Sequence, residues 1–440
     1  MGFLKKFTKQ EISWMMYDWA NSAHSVIVVT ILPIFFDTVA GYTADSVSSM
    51  STWGFATSLA MAIVALSAPF LGVFGDIRGM RKKLFTAFML IGVVSVAGLS
   101  FTPFMDFTAS PEAAGRVAAI VLVLYITSTI GFDASCIYYD AFLTDVTTED
   151  RMDSVSTLGY GLGYIGGSTI PLLIFLIMNA VGVPMLTCLG FIFGLTAVWW
   201  LVFSVPLVKN CEQTSGKPYK KGDVGASIKN VFTTMKEIGA DKPMLIYIIS
   251  YFFYIDGVHT IISMSTSYGT NLGLDSTGLL LALLVTQFVA FPFSILFGRL
   301  AEKYDTGKLI LTCIAAYTGI TVFAVFMKAQ WQFWVRAIFV GMFQGGIQAL
   351  SRSYFAKIVP PERSGEYFGL MDICGKGASF MGTTVVGLAS QAFGSINIGI
   401  SAIIFLFLAG ALFFMKTVHS GSESMKNQEN VIMEQQMFHD

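Results

Sequence analysis

The feature that most limits how this chain can fold is a succession of apolar runs, separated by Gly, Pro and clusters of charge. A helix of about 20 apolar residues spans the hydrocarbon core of a bilayer. Only 12% of the 440 residues are charged, whereas a typical soluble protein has roughly 25%. The chain has too little polar surface for a water-soluble globular fold, and we predict a polytopic membrane protein.

Twelve such runs can be placed along the chain, and each predicts a membrane-spanning helix. The predicted spans are residues 15–39, 52–74, 84–105, 116–138, 154–178, 184–208, 243–268, 276–297, 308–328, 332–355, 367–392 and 395–416. We therefore predict an all-α integral membrane protein with twelve transmembrane helices in two pseudo-symmetric six-helix bundles. The bundles are residues 1–208 and 243–416, joined by a cytoplasmic central loop at 209–242 and followed by a polar cytoplasmic tail at 417–440.

The distribution of Lys and Arg tests this arrangement, because basic residues are retained on the cytoplasmic side of a membrane. With both termini inside, the cytoplasmic segments and the inner ends of the spans hold 23 of the 27 Lys and Arg residues. We therefore predict that both termini are cytoplasmic. The sequence shows no convincing signal-peptide cleavage site and no N-x-[ST] acceptor, which favours a plasma membrane and leaves an organellar one open.

The central loop contains a segment with helical periodicity. Its apolar residues recur on one side, with Lys229 and Lys236 elsewhere: Ile228, Val231, Phe232, Met235 and Ile238. This pattern predicts an amphipathic helix at the membrane surface. The tail after Lys416 is rich in Gln, Glu and Asn, so we expect it to be solvated and loosely ordered.

The loops after the second and eighth spans carry similar chemistry. The first has the pattern G-x-x-x-D-x-x-G-x-R-K, formed by Gly72, Asp76, Gly79, Arg81 and Lys82. The second contains Gly298, Glu302, Lys303, Asp305, Gly307 and Lys308. Glycines permit close helix approach, an acid can cap a helix N-terminus, and basic residues anchor at lipid phosphates. Because the loops recur at equivalent places, we predict a duplicated six-helix unit with both loops in a gate.

The first of these loops resembles the signature loop of the major facilitator superfamily of transporters. Further motifs are similar to one branch of that superfamily: YDWANS at 17–22, LGYGLGY at 158–164, YIDGV at 254–258, ALSRS at 349–353 and FG at 368–369. That branch is the unknown major facilitator family, which includes the fungal autophagy-related vacuolar amino-acid effluxers. The resemblance covers nearly the whole chain.

The resemblance implies a secondary transporter of a small polar solute that works by alternating access. Amino acids are the leading substrate class, while sugars, nucleosides and organic anions remain alternatives. Uptake and efflux are both open. A non-transporting sensor or scaffold on the same helical frame is the alternative from another class, and it would place function in the tail or central loop.

Polar residues inside the predicted spans are costly at the centre of a bilayer, so they are candidate pathway residues. Asp18, Asn21 and Ser25 share one face of the first span, and Asp256 and His259 share one face of the seventh. If both faces point inward, they line a common cavity, where Asp18, Asp256 or His259 could take part in proton coupling. The competing interpretation of Asp18 is a local capping or interhelical role.

Four further charged residues in the spans have two interpretations each. Lys376 follows Asp372 by one turn, so it either forms an internal salt bridge or engages a substrate carboxylate. Arg352 lies near the inner end of its span, where a side chain can extend to lipid phosphate or serve a gate. Asp133 is expected to be a structural or gating partner rather than a proton carrier.

Other functions find no support in the sequence. The match to G-x-G-x-x-G at 161–166 follows no strand, so the small-residue spacing of Gly159, Gly163 and Gly167 predicts close helix packing instead of dinucleotide binding. No enzyme motif, metal-ligand pattern or basic nucleic-acid patch is present. We therefore expect a monomer, no cofactor, no metal and no nucleic acid, with the solute, the lipid bilayer and protons as partners.

Overall fold

The computed structural model of the protein describes residues 6–43, 46–218, 233, 236–237, 239–271, 273 and 275–437. Its helices form twelve long segments, two of which contain a π-helical turn. In chain order they are α1 (residues 9–40), α2 (Ser46–Gly75), α3 (Arg81–Leu99), α4 (Pro111–Ala141), α5 (residues 152–180), α6 (Met185–Asn210), α7 (Lys242–Ser263), α8 (Ser276–Ala301), α9 (Thr306–Val325), α10 (Gln330–Ile358), α11 (Ser364–Phe393) and α12 (Ile396–Met437).

Nine of these segments, within the described part of the chain, are long and apolar enough to cross a membrane by length and composition. The other three are α1, α10 and α11. They contain charged residues within the predicted spans, including Asp18, Arg352 and Asp372. The all-α membrane fold is confirmed, whereas the count of twelve crossings stays a prediction.

Helices α1 and α5 approach each other along a line of small residues. A Cβ atom on Gly163 would lie 2.5 Å from Ser22 Oγ, and one on Gly167 would lie 2.6 Å from the carbonyl oxygen of Trp19. A side chain at either glycine would therefore push the helices apart. This contact confirms that the glycine spacing in α5 serves helix packing.

The two halves of the protein, α1–α6 and α7–α12, meet along two seams. Helix α2 packs against α11, and α5 packs against α8 and α10. The α2–α11 seam is closest beside the first signature loop, where a Cβ atom on Gly72 would overlap the backbone of Gly365. We call the end of the molecule that carries the loops at 72–82 and 298–308 the loop end.

The last helix differs from the sequence-based expectation. Helix α12 continues to Met437, although its apolar part ends at Thr417. The expectation of a loosely ordered tail is therefore wrong for residues 417–437, because Glu, Gln, Lys and Met favour a helix and no proline interrupts them. The apolar residues of the predicted interfacial helix at 228–238 lie outside the described residues.

The close seam predicts a contrast between two glycines of the same helix. Gly72→Ala places a methyl group against the backbone of Gly365, and overpacking of this kind costs about 1–3 kcal/mol. Gly54→Ala, on α2 where a Cβ would meet nothing within 4 Å, is the matched control. We expect a lower Tm in detergent for Gly72→Ala only. Equal Tm values for both variants would contradict the close approach of α2 and α11.

Candidate functional site

A central cavity of about 560 Å³ lies between the two halves. This volume is within the range of small-molecule binding sites, roughly 300–1,000 Å³. It extends from Arg352 near the loop end towards Thr30 and Ile262, and its lining comes from α1, α2, α4, α5, α7, α8, α10 and α11. Seven residues proposed from the sequence line it together: Asp18, Asn21, Ser25, Asp133, His259, Arg352 and Asp372.

One described residue of the proposed pathway, Asp256, is not among the cavity-lining side chains. Asp256 is fully buried, and its Oδ1 accepts hydrogen bonds from the backbone N–H of Gly382 in α11, at 2.9 Å, and from Thr260, at 3.2 Å. The expectation that Asp256 shares a cavity with His259 is therefore wrong for this conformation, because Asp256 faces α11. Lys376 lies in α11, and its side chain is outside the described part of the structure.

The end of the cavity nearest the loop end is closed by one guanidinium and two carboxylates. Arg352 of α10 donates to Asp18 of α1 at 3.0 Å and to Asp140 of α4 at 3.2 Å. It also donates to the hydroxyl of Ser156 at 2.9 Å and to the carbonyl oxygen of Ser156 at 3.1 Å. These contacts join the two halves, and we call this group the cavity floor.

Aromatic rings cover the faces of the same guanidinium. Its carbon lies 4.3 Å from the ring centre of Tyr160, 4.6 Å from that of Trp14 and 5.3 Å from that of Tyr139. Arg352 is 4% exposed, so the prediction that it extends to lipid phosphate is wrong. Its charge is paired inside the protein by acids on other helices, Asp18 and Asp140. The linear sequence does not reveal which helices meet in this way.

The first signature loop caps a helix of the opposite half. The two carboxylate oxygens of Asp76 accept hydrogen bonds from the first backbone N–H groups of α11, those of Gly365 at 2.8 Å and Glu366 at 2.9 Å. Burial raises the pKa of Asp76 to about 6, while Arg81 and these N–H groups act to lower it. Asp76 is therefore mostly ionised at neutral pH and complements the positive end of the α11 dipole.

Arg81 ties this loop to its own half as well. It pairs with Asp76 at 2.9 Å and with Asp145 at 2.5 Å, and it donates to Ser364 Oγ at 2.8 Å. Its side chain is fully buried, so anchoring of Arg81 at lipid phosphate is wrong, whereas Lys82 remains partly exposed. Gly79 has a φ of +81°, which is the left-handed region that a glycine adopts without strain.

The second signature loop does not repeat this geometry. Its acid, Glu302, is exposed and accepts from Ser154 Oγ at 3.4 Å, and Lys308 is exposed. Gly298 contacts Thr157 across the seam, and Gly307 is buried at the start of α9. The two loops share sequence chemistry, but only the first buries its acid between the halves.

A carboxylate that the sequence did not single out supplies the corresponding link. Asp153, at the start of α5, accepts hydrogen bonds from Ser353 at 2.5 Å, Thr306 at 2.6 Å and Lys357 at 2.5 Å. Asp153 belongs to one half and its three partners to the other. No motif marked Asp153 or Lys357 in advance. Only their position across the seam identifies them.

Comparison with known proteins identifies the family of the chain. A family model described as "Vacuole effluxer Atg22 like" matches residues 8–426. The chain belongs to the Atg22-like vacuole effluxer family. "Uncharacterized MFS-type transporter YxiO" of Bacillus subtilis (strain 168) is 40% identical over 435 residues, covering 97% of this chain and 99% of that protein. This chain is an MFS-type transporter and a multi-pass membrane protein.

More distant similarities agree with the fold. "Autophagy-related protein 22-2" of Aspergillus clavatus is 25% identical over 59% of this chain, which spans 46% of that fungal protein. The solved structure of FucP in the outward conformation matches with a TM-score of 0.69 and 12% identity, over 93% of this chain and 98% of that one. The human organic anion transporter MFSD10 (TETRAN) matches with a TM-score of 0.67 and 11% identity, over 92% and 99% of the two chains.

The capping geometry of Asp76 predicts the effect of removing its charge. Asp76→Asn weakens the bonds to Arg81 and to the N–H groups of α11, and poorly satisfied buried groups cost about 1–3 kcal/mol. We expect the loop end to separate more often. Spin labels at Arg78 and Glu362, both exposed, measure this as a shift to longer distances.

Lys83→Gln is the control, because Lys83 is an exposed charge beside the same loop. Its distance distribution should equal that of the parent protein. Identical distributions for Asp76→Asn and Lys83→Gln would contradict a role of Asp76 in closing the loop end.

Proposed function

We propose that this transporter carries a small, polar, amino-acid-like solute through the central cavity by alternating access. The observation that carries the proposal is the cavity floor, where Arg352 of one half is held by Asp18 and Asp140 of the other. A polar cavity between two halves, closed at one end by bonds that join those halves, has the organisation that alternating access requires.

We propose that the loop end faces the cytoplasm, because the positive charges of the chain favour both termini and both signature loops on that side. The conformation described is then closed to the cytoplasm. Opening that end requires the separation of links between the halves, which include Arg352 with the cavity floor carboxylates, Lys357 with Asp153, and Asp76 with the start of α11. We propose a monomer in the plasma membrane as the working unit.

The proposed solute pathway contains Asp18, Asn21, Ser25, His259 and Lys376. Carboxylates, amides and hydroxyls line the cavity, and these groups can bind the polar groups of an amino-acid-like solute. The cavity volume is also suited to a solute of that size. We propose proton coupling because Asp18 and His259 are titratable and both line the cavity. Direction of transport then follows the gradients of solute and proton.

Counterflow in proteoliposomes tests this proposal. Vesicles loaded with an unlabelled amino-acid mixture should accumulate external labelled amino acids, and an imposed proton gradient should change the rate. Empty vesicles and vesicles with the Gly54→Ala variant serve as controls, the latter because a Cβ atom on Gly54 would meet nothing within 4 Å. Absence of exchange for every amino acid would contradict the proposed substrate class.

The pairing of Arg352 with Asp18 in the cavity floor predicts that a second substitution partly restores the transport lost through the first. Arg352→Gln leaves the buried carboxylate of Asp18 without its charge partner, and loss of one partner of a buried pair costs about 3–5 kcal/mol. We expect exchange in Arg352→Gln to be nearly abolished. Asp18→Asn combined with Arg352→Gln removes one uncompensated charge and should recover part of the exchange rate. Equal rates for the single and double variants would contradict an energetic link between these residues.

A further inference from the structure

Negatively charged side chains outnumber positively charged ones around the central cavity. The described lining residues include four carboxylates, those of Asp18, Asp133, Asp140 and Asp372, and one guanidinium, that of Arg352. Lys376 follows the lining residue Gly375, and even if its ammonium group is counted with the cavity, the carboxylates remain in excess. The cavity is therefore negative overall.

We propose that the solute is a net cation, whose amine binds in the cavity between Asp140 of the cavity floor and Asp372 of the other half. This inference rests on the proposed transport function and specifies the charge of the solute. Both carboxylates line the cavity, Asp140 from α4 and Asp372 from α11. A cation placed between them would contact both halves at once.

Asp140 differs from Asp18 in a way that leaves it accessible to a solute. The Asp18 side chain is 9% exposed and bonds Arg352 at 3.0 Å, whereas the Asp140 side chain is 31% exposed and bonds Arg352 at 3.2 Å. Ser156 supplies two further acceptors for the same guanidinium. A carboxylate accepts up to about four hydrogen bonds, so Asp140 retains acceptor capacity on its cavity side.

The surroundings of this position also suit a cation. Tyr160 and Tyr251 line the cavity together with Asp140. Aromatic ring faces attract ammonium groups. Gln287 of α8 lines the same cavity, is 6% exposed, and its side-chain oxygen accepts no hydrogen bond from the described residues. Carboxylates and an unsatisfied amide oxygen call for a solute that donates hydrogen bonds.

The same charges disfavour an anionic solute. A negative group would enter a cavity that already holds excess carboxylates, and charge interactions there are screened far less than in water. Each factor of ten in selectivity corresponds to about 1.4 kcal/mol. An amine is attracted by the excess carboxylates and a carboxylate is repelled by them. Even a modest difference between these two interaction energies therefore gives strong selectivity for the amine.

The test compares labelled solutes of similar size and different charge in proteoliposome counterflow. The probes are lysine, glutamine, glutamate and 1,5-diaminopentane, the last of which has amines and no carboxylate. We expect lysine to exchange at least about tenfold faster than glutamate. Asp140→Asn should lower lysine exchange about tenfold, Asp140→Glu should restore most of it, and Asp106→Asn, an exposed acid in a loop, should leave it unchanged.

Binding of 1,5-diaminopentane to the detergent-solubilised protein, followed as a Tm shift, provides a second readout if a variant inserts poorly. Diaminopentane that binds and exchanges while no amino acid does would support the amine site and overturn the amino-acid class. Glutamine or glutamate exchange with no lysine or diaminopentane exchange would overturn the amine site and leave the transport proposal standing. A parent protein that neither binds nor exchanges any amine would overturn the inference.

Discussion

The ion pair between Arg352 and the carboxylates of the opposite half is the interaction on which the observed conformation depends. A guanidinium removed from water is stable only when its charge and its N–H groups are satisfied. Asp18, Asp140 and Ser156 supply the acceptors, and aromatic rings cover the faces. Because the charge and its partners belong to different halves, satisfying the buried arginine also holds those halves together and closes the cavity at one end.

Two links nearer the loop end also hold the two halves together, and each uses different chemistry. Asp76 uses the backbone N–H groups at the start of α11, whereas Asp153 uses the side chains of Lys357, Ser353 and Thr306. A duplicated fold would permit identical links on both seams. The observed difference means that one seam is held by a helix terminus and the other by a buried side-chain network, so the two need not open with equal ease.

Much of the architecture follows from the pattern of the chain. Apolar runs predicted the helices, and the spacing of Gly163 and Gly167 predicted the close approach of α5 to another helix, which α1 provides. Helices α1, α10 and α11 fall below the apolar criterion that the other nine meet in the described part of the chain. Each contributes charged or polar side chains to the cavity, so their lower hydrophobicity reflects the site that they build.

The directions in which individual side chains point were harder to predict from the sequence. Asp256 and His259 are one turn apart on α7, yet only His259 lines the cavity, because Asp256 accepts a hydrogen bond from Gly382. Spacing along a helix defines a face about 100° wide, and a neighbouring helix decides which part of it meets the cavity. Arg81 and Arg352 likewise appeared suited to lipid phosphate, but both are buried and pair with acids that are distant in sequence, Asp145 and Asp18.

By itself, the sequence determined the membrane environment, the helical class, the duplicated loops and the family, since these depend on composition, periodicity and local motifs. The tertiary structure decided which charges pair, which half each partner belongs to, and which carboxylate of the cavity floor stays exposed. The physical reason is range: an apolar run acts on its own helix, whereas Arg352 and Asp18 meet only after α1 and α10 have packed across the cavity.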